Sequence, residues 1–376
     1  MSLNLLKEAY ISHYGNPDYL LRLESSSADI QPEVLETAFL FPIEEEDLFV
    51  TTLTTLGLSL VNKNNYDKPI ELVIDVLGKL SSSDCDLLGN AVANLIWQVS
   101  LAKDGFRENC LFRNIDIPIF QLMSDTLVID RGYGNPEFIE NTNPPVRLLE
   151  IVPIHTDEAN ALEAIYPPEL RMISLIRAVK DRTDPNRESV DIVLQVIIDI
   201  WTRLESWYER ESSRMYARMM EGASEEDIRN LEETISLSLP DDFVNSLKQH
   251  NGNHEFYDAY EYLSTEKIHE LWSMMNQLKN EGRFNDFEID PQGINIIQNT
   301  WWDSRWIPFA ADSGGNLICI DLNPEINGIH GQIIYHERSQ GPLVSPCQSF
   351  LEWLWLYSQN LISGKYEVDN SGFIHT

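Results

Sequence analysis

Basic residues are scarce in this chain. Lysine and arginine number 27 against 60 aspartates and glutamates, a net charge of −33. Such an excess repels phosphate backbones and anionic bilayers, which argues against nucleic acid and membrane surfaces as partners. Cysteine is sparse as well. Cys85, Cys110, Cys319 and Cys347 are widely spaced and form no Cys-x-x-Cys pair, so nothing points to a zinc site or a disulfide framework. No uncharged apolar run approaches the roughly 20 residues needed to cross a bilayer. The start, Met1-Ser2-Leu3-Asn4-Leu5-Leu6-Lys7-Glu8, lacks the basic opening and long apolar stretch of a secretion signal. The expectation is a soluble cytoplasmic protein without metal or cofactor, whose natural complement is a basic protein surface.

Signatures of chemistry are missing too. Gly132-Tyr133-Gly134 and Ser313-Gly314-Gly315-Asn316 lack the lysine and the following helix of a phosphate loop, and there is no Gly-x-Ser-x-Gly elbow. His250 and His254 beside Glu255 could imitate a metal site, but a third ligand at a suitable spacing is absent. His155 with Asp157 and Glu158 reads as a solvated helix start rather than an acid–base pair, and His336 with Glu337 as surface or domain-closing residues. The chain reads as a non-enzyme.

What is present is enough for two cores: 376 residues, 43% of them hydrophobic. The polar stretch Lys180–Glu188, interrupted by Pro185, reads as the linker between domains at 1–185 and 188–376. Leu3 to His13 reads as a helix. Leu48 to Leu56 has strand composition, with Gly57 to Val61 continuing it after a bend, and Ile70 to Leu77 is the next strand. Asp84 to Leu101 places Leu87, Leu88, Val92, Leu95, Ile96 and Val99 on one helical face. Leu122 to Ile129 and Val146 to Ile154 are further strands, and Thr156 opens a helix.

From Val190 a helix carries a stripe of Val193, Val196, Ile197, Ile200, Trp201, Leu204 and Trp207. Ser224 with Asp227 approximates a capping box, Pro240 suits the first turn of the next helix, and Asn251-Gly252 ends it. Lys267 to Leu278 and Phe350 to Leu361 are amphipathic or aromatic helices. Acid is densest here: residues 221–290 hold 17 acids and 5 bases.

The organising stretch runs from Trp301 to Pro324. Trp306 to Ala310 and Leu317 to Leu322 read as strands joined through Ser313-Gly314-Gly315-Asn316, residues that accept positive φ. Pro308 requires an edge or a bulge. Asp312 and Asn316 flank the turn, where their side chains can cap its amides or face a partner. Trp301 and Trp302 are adjacent, so in an extended segment one can be core while the other, taken as Trp302, anchors a partner; both can be core if a loop covers them.

These pieces carry a resemblance. Gly222-Ala223-Ser224-Glu225-Glu226-Asp227-Ile228, Leu239-Pro240-Asp241-Asp242-Phe243, His250-Asn251-Gly252, the tryptophan hairpin, Gly331-Gln332-Ile333-Ile334 and Ser349-Phe350-Leu351-Glu352-Trp353-Leu354 occur in the order seen in the SUKH family. Its members include fungal cell-wall regulators and bacterial immunity proteins. Pro69-Ile70-Glu71-Leu72-Val73-Ile74, the helix bearing Trp97, and Arg147-Leu148-Leu149-Glu150-Ile151-Val152-Pro153-Ile154 resemble the suppressor-of-fused domain. The implied fold is α+β: two α/β domains, each with a mostly antiparallel sheet packed by helices.

The resemblance implies an immunity protein that neutralises a cognate toxin, possibly a nuclease, by stoichiometric occlusion. Asp241, Asp242, Glu255, Asp258, Trp302, Asp312 and Asn316 would face the toxin. The alternative is a signalling or scaffold adaptor like the fungal regulators, which would be expected to carry long disordered flanks that this chain lacks.

Overall fold

The computed structural model describes residues 2–23, 35–41, 50–61, 69–100, 106–115, 117–132, 137–165, 167–257, 259–285, 287, 295–369 and 373–375. The chain divides into two compact units, Met1–Ile192 and Val193–Thr376. Each combines helices with a mostly antiparallel sheet.

The N-terminal unit runs α1 (Leu3–Tyr14), β1 (Tyr19–Leu23), β2 (Leu35–Leu40), β3 (Val50–Leu56), α2 (Leu58–Val61), β4 (Ile70–Leu77), α3 (Ser82–Ser100), β5 (Leu111–Phe112), β6 (Asp125–Asp130), β7 (Phe138–Ile139), β8 (Val146–Ile154), α4 (Thr156–Ala164) and α5 (Leu170–Ala178). The sheet order is β1-β2-β3-β4-β8-β6-β5, with β7 also on β8. β4 and β8 pair in parallel, Ile70 beside Arg147, which requires a crossover between them. That crossover contains α3.

The apolar run of β4 is explained by helices on both faces of the sheet. Ile70, Leu72, Ile74 and Val76 join the core under α3 with Leu88, Val92 and Ile96. Val73 turns the other way, toward Leu6 and Tyr10 of α1 and Val146 and Leu148 of β8. Leu87, assigned by spacing to the buried face of α3, is 48% exposed.

Glu71 is the polar exception in β4, and it is fully buried. Its carboxylate accepts the amides of Gly57, Leu58 and Ser59 at 3.0, 3.2 and 2.9 Å, and the hydroxyls of Thr55 and Ser59 at 2.6 Å each. Those amides are the free donors at the start of α2, so an acid from a neighbouring strand takes the capping role. This corrects the reading of Gly57 to Val61 as strand. Gly57 takes φ +123°, and the chain turns into α2 because Glu71 gathers its amides.

The stretch read as a linker is fastened to the N-terminal unit. Arg187 is 7% exposed and donates to both oxygens of Glu158, at 2.5 and 2.6 Å. His155 contributes to the same contact, its ring Nε2 lying 3.0 Å from the Arg187 carbonyl.

The C-terminal unit runs α6 (Ile192–Glu211), α7 (Ser213–Tyr216), α8 (Glu225–Ile235), α9 (Asp241–Gln249), β9 (Asn253–Tyr257), β10 (Tyr260–Tyr262), α10 (Thr265–Asn280), β11 (Trp306–Asp312), β12 (Leu317–Asp321), β13 (Gln332–Glu337), β14 (Gly341–Val344), α11 (Phe350–Ile362), β15 (Glu367–Val368) and β16 (Ile374–His375). β9 to β14 form one antiparallel sheet in sequence order, and β15 pairs with β16. β11 is an interior strand, so of the two options for Pro308 it is the bulge that occurs. The register against β12 shifts between Pro308 and Ala310.

Aromatic side chains fill this unit. Phe309 meets Phe350 at 5.2 Å and Trp353 at 4.9 Å between ring centroids, and Phe243 lies 4.9 Å from Phe350. Trp201 of α6 reaches Tyr262 and donates to Ser246 Oγ at 2.9 Å. A second cluster joins Trp302, Trp306 and His336.

Candidate protein interface of the C-terminal unit

Of the residues expected to face a partner, Asp241 is exposed, on the first turn of α9. Asp242 is not available. Its carboxylate accepts the Leu351 amide at 2.8 Å and its neighbour Phe243 at 2.8 Å, tying α9 to the start of α11. Burial raises its pKa. Trp302 is 0% exposed and Trp301 5%, so the expected anchor belongs to the core. An extended pair would have pointed apart; here Trp302 packs edge-on to Trp306 and donates Nε1 to Asn276 of α10 at 3.3 Å.

Asp312 and Asn316 bond to each other across the hairpin. Asp312 accepts the Asn316 amide and side chain at 2.7 Å each, and Asn316 Oδ1 accepts the Arg338 amide at 3.0 Å. They hold the turn. Asp258 and the side chain of Glu255 lie outside the described residues.

The histidines are engaged structurally. His250 meets the Met220 carbonyl at 2.8 Å and Glu205 at 2.9 Å, and His254 meets Glu261 at 3.0 Å. His336, read as a surface or domain-closing residue, is 2% exposed. Its Nε2 lies 2.8 Å from the Trp301 carbonyl, and burial lowers its pKa. The signal that could have placed it is its position at the end of the apolar run Ile333-Ile334. No group of three or more metal-ligating residues occurs among the described residues.

What remains as a surface is the pair α8 and α10. The capping box at Ser224 is complete: Ser224 Oγ accepts the Asp227 amide at 3.1 Å, and the Ser224 amide donates to the Asp227 carboxylate at 3.0 Å. Ile228, Leu231 and Ile235 are buried, which turns Glu226, Asp227, Asn230 and Glu233 outward. Ser264 caps α10 by accepting the Lys267 amide at 3.3 Å, leaving Glu266, His269 and Glu270 exposed. Between the helices lies a cleft of about 160 Å³, lined by Asp227, Asn230, Leu231, Thr234, Thr265, Glu266 and His269. The lining is mainly polar around Leu231, and its two carboxylates, Asp227 and Glu266, favour a cationic group.

Residues 222–355 match the SMI1 / KNR4 family (SUKH-1). Over that span the C-terminal unit is similar to the SMI1/KNR4 domain, and α8, α9 and the sheet β9–β14 fall within it. The cell wall biosynthesis/cell cycle regulator smi1 of Schizosaccharomyces pombe is 28% identical over 189 residues, covering 46% of this chain and 38% of that protein. The glucan synthesis regulatory protein of Neurospora crassa is 22% identical over 207 residues, 45% of this chain and 39% of that protein. The cell wall assembly regulator SMI1 of Saccharomyces cerevisiae is 23% identical over 224 residues, 49% and 44% respectively. The match thus spans about two fifths of these relatives.

Among solved structures, a putative suppressor of fused homologue from Neisseria gonorrhoeae covers 50% of this chain and 94% of its own, at 14% identity and a TM-score of 0.37. Drosophila suppressor of fused covers 56% of this chain and 54% of its own, at 11% identity and a TM-score of 0.35. Likeness at this level carries no functional argument.

These relatives correct the expected function. They are named as fungal regulators of cell wall and glucan synthesis, so the reading as an immunity protein that neutralises a toxin, possibly a nuclease, does not stand. No helix among the described residues is long and apolar enough to cross a membrane.

Proposed function

We propose that this chain is a non-enzymatic regulatory adaptor, and that its SMI1/KNR4-like region binds a basic segment of a partner protein at the α8–α10 cleft. The observation that carries the reading is the match of residues 222–355 to the SMI1 / KNR4 family, beside the chain's similarity to named regulators of wall synthesis. The histidines that might have done chemistry instead support its fold, through Met220, Glu205, Glu261 and Trp301.

The test is complementation. The full chain is expressed in fission yeast lacking its smi1 regulator, and resistance to a wall-digesting enzyme is measured. The expected result is partial recovery, abolished by joint replacement of Glu226, Glu233, Glu266 and Glu270 with glutamine while the melting curve is unchanged. A well-expressed, folded chain that restores nothing would sink the adaptor reading. Recovery that survives the four substitutions would move the interface elsewhere.

A further inference from the structure

Residues 180–190 cross the N-terminal unit as a strap that buries no apolar side chain, while Arg187 goes under the surface. Hydrogen bonds hold it to the described residues around it. Arg182 Nε donates to Glu150 Oε1 at 3.3 Å. Arg187 donates to both oxygens of Glu158, at 2.5 and 2.6 Å, and more distantly to the Pro153 carbonyl at 3.4 Å. The Val190 amide donates to Glu158 at 3.0 Å, Ser189 Oγ to Asp157 at 2.5 Å, and the Leu77 amide to the Thr183 carbonyl at 2.8 Å.

The two carboxylates belong to the body of the unit, not to the strap. Glu150 lies in β8 and is 2% exposed, and Glu158 lies in the first turn of α4 and is 0% exposed. Glu158 also accepts the His155 amide at 3.0 Å, which fixes its carboxylate independently of the strap. Asp75 and Glu137 add negative charge around Glu150, and Arg131 offsets part of it. Without the strap, Glu158 would lose its guanidinium and Glu150 would stand in an acid-rich surrounding. The bidentate pairing of Arg187 with Glu158 selects arginine over lysine there, whereas Arg182 meets Glu150 through Nε alone.

We propose that the strap is an exchangeable occupant. Glu158 forms an arginine socket and Glu150 a second hydrogen-bond acceptor, filled by Arg187 and Arg182 at rest and open to an extended partner segment bearing two arginines at the same spacing. A strap held by hydrogen bonds and charge, with no apolar side chain buried, can lift without opening either hydrophobic core. While tethered it acts at an effective concentration on the order of millimolar, so it competes strongly with a free segment. The proposal deepens the adaptor reading by naming a second docking chemistry. It can fail alone, because its test asks nothing of the α8–α10 cleft.

The probe is a fluorescent peptide with the sequence of residues 179–191, and its control has both arginines replaced by glutamine. Full-length protein carrying Arg182→Gln and Arg187→Gln is expected to bind the arginine peptide about tenfold or more tighter than wild type does, as removal of a tethered competitor predicts. The control peptide should not bind. A folded double variant that binds no better than wild type, or that binds both peptides alike, overturns the proposal. Should the variant fail to fold, wild type decides. Excess arginine peptide should speed hydrogen exchange at the Val190 amide while leaving β8 unchanged, and equal exchange with either peptide would refute the exchange.

Discussion

At the centre of the C-terminal unit stand rings: Phe309 among Phe243, Phe350 and Trp353, and Trp353 stacked on Tyr357 with 3° between their planes. The N-terminal unit adds to its apolar cores more buried acids than the C-terminal unit, where Asp321 is buried, has among the described residues. Glu71, Glu150, Glu158, Asp125 and Asp130 are each at most 2% exposed. Rings stabilise by area and shape, and do so at any pH. Buried carboxylates stabilise only while each is met by donors or a cation. The two units should therefore fail under different insults.

The largest effect expected is Phe309→Ala. Deleting a fully buried ring costs about 3–5 kcal/mol, so the transition of the C-terminal unit should fall steeply in urea while that of the N-terminal unit stays put. Next comes Arg187→Met, which leaves Glu158 buried without its cation. Removal of one partner of a buried pair costs about 3–5 kcal/mol, and a strap that can lift and admit water should bring this to about 3 kcal/mol. Here the N-terminal transition should move. If Arg187→Met left it in place, the interior carboxylates would not be what distinguishes the units.

Acidity should separate the contributions of Glu150 and His336 in sign. Burial, reinforced by Asp75 and opposed by Arg131, raises Glu150 from 4.5 to about 8. The folded state then binds its proton more tightly than the unfolded state, so stability is full below about 4.5 and is lost as the pH rises toward 8. Arg182, 3.3 Å away, opposes the shift, so the change across the window should be about 2 kcal/mol, less than the full shift at about 1.4 kcal/mol per unit would give. Glu150→Gln should flatten it. His336 runs the opposite way: burial lowers its pKa from 6.5, so its own contribution to the C-terminal unit is lost as the pH falls below that value. Asp242 and Asp321, whose pKa values burial raises, act in the direction of Glu150. Melting curves at pH 5 and 8 for wild type, Glu150→Gln and His336→Gln would show the crossing. Parallel changes in pH response from the two substitutions would defeat it.

The parts of this architecture that could be read beforehand are those that local pattern encodes. The capping box at Ser224, the stripe of α6 and the runs of β4, β8 and β12 depend on spacing within a few residues, and all are present. What escaped depends on contacts far along the chain. Gly57 to Val61 became helix because Glu71 reaches across from another strand. Lys180–Glu188 has linker composition, yet Arg187 finds Glu158 29 residues away. β9 and β10, in a segment rich in histidine and acid, were hidden because a short strand of mixed composition has no period to detect. Asp242 looked like a helix-start acid and is one, but the same carboxylate also accepts from Leu351, 109 residues on.

The smallest effect concerns the hairpin turn. Gly315 has φ +90°, and a Cβ there would lie 3.2 Å from Arg338 Cδ, the movable end of a side chain. Steric crowding can therefore relax, and the backbone conformation is what remains. A β-branched residue resists positive φ most, so Gly315→Val should lower the C-terminal transition by about 1 kcal/mol or slightly more. Gly315→Asn should lower it less, because asparagine tolerates the left-handed region. Gly314, next to it, supplies the control: it carries no positive φ, and its nearest contact would be Asp312 Oδ1 at 3.2 Å. Valine there should act through Asp312 and Asn316, the pair that holds the turn, rather than through strain. If valine at 315 cost no more than asparagine, the turn would owe its shape to the Asp312–Asn316 bonds and not to the glycine.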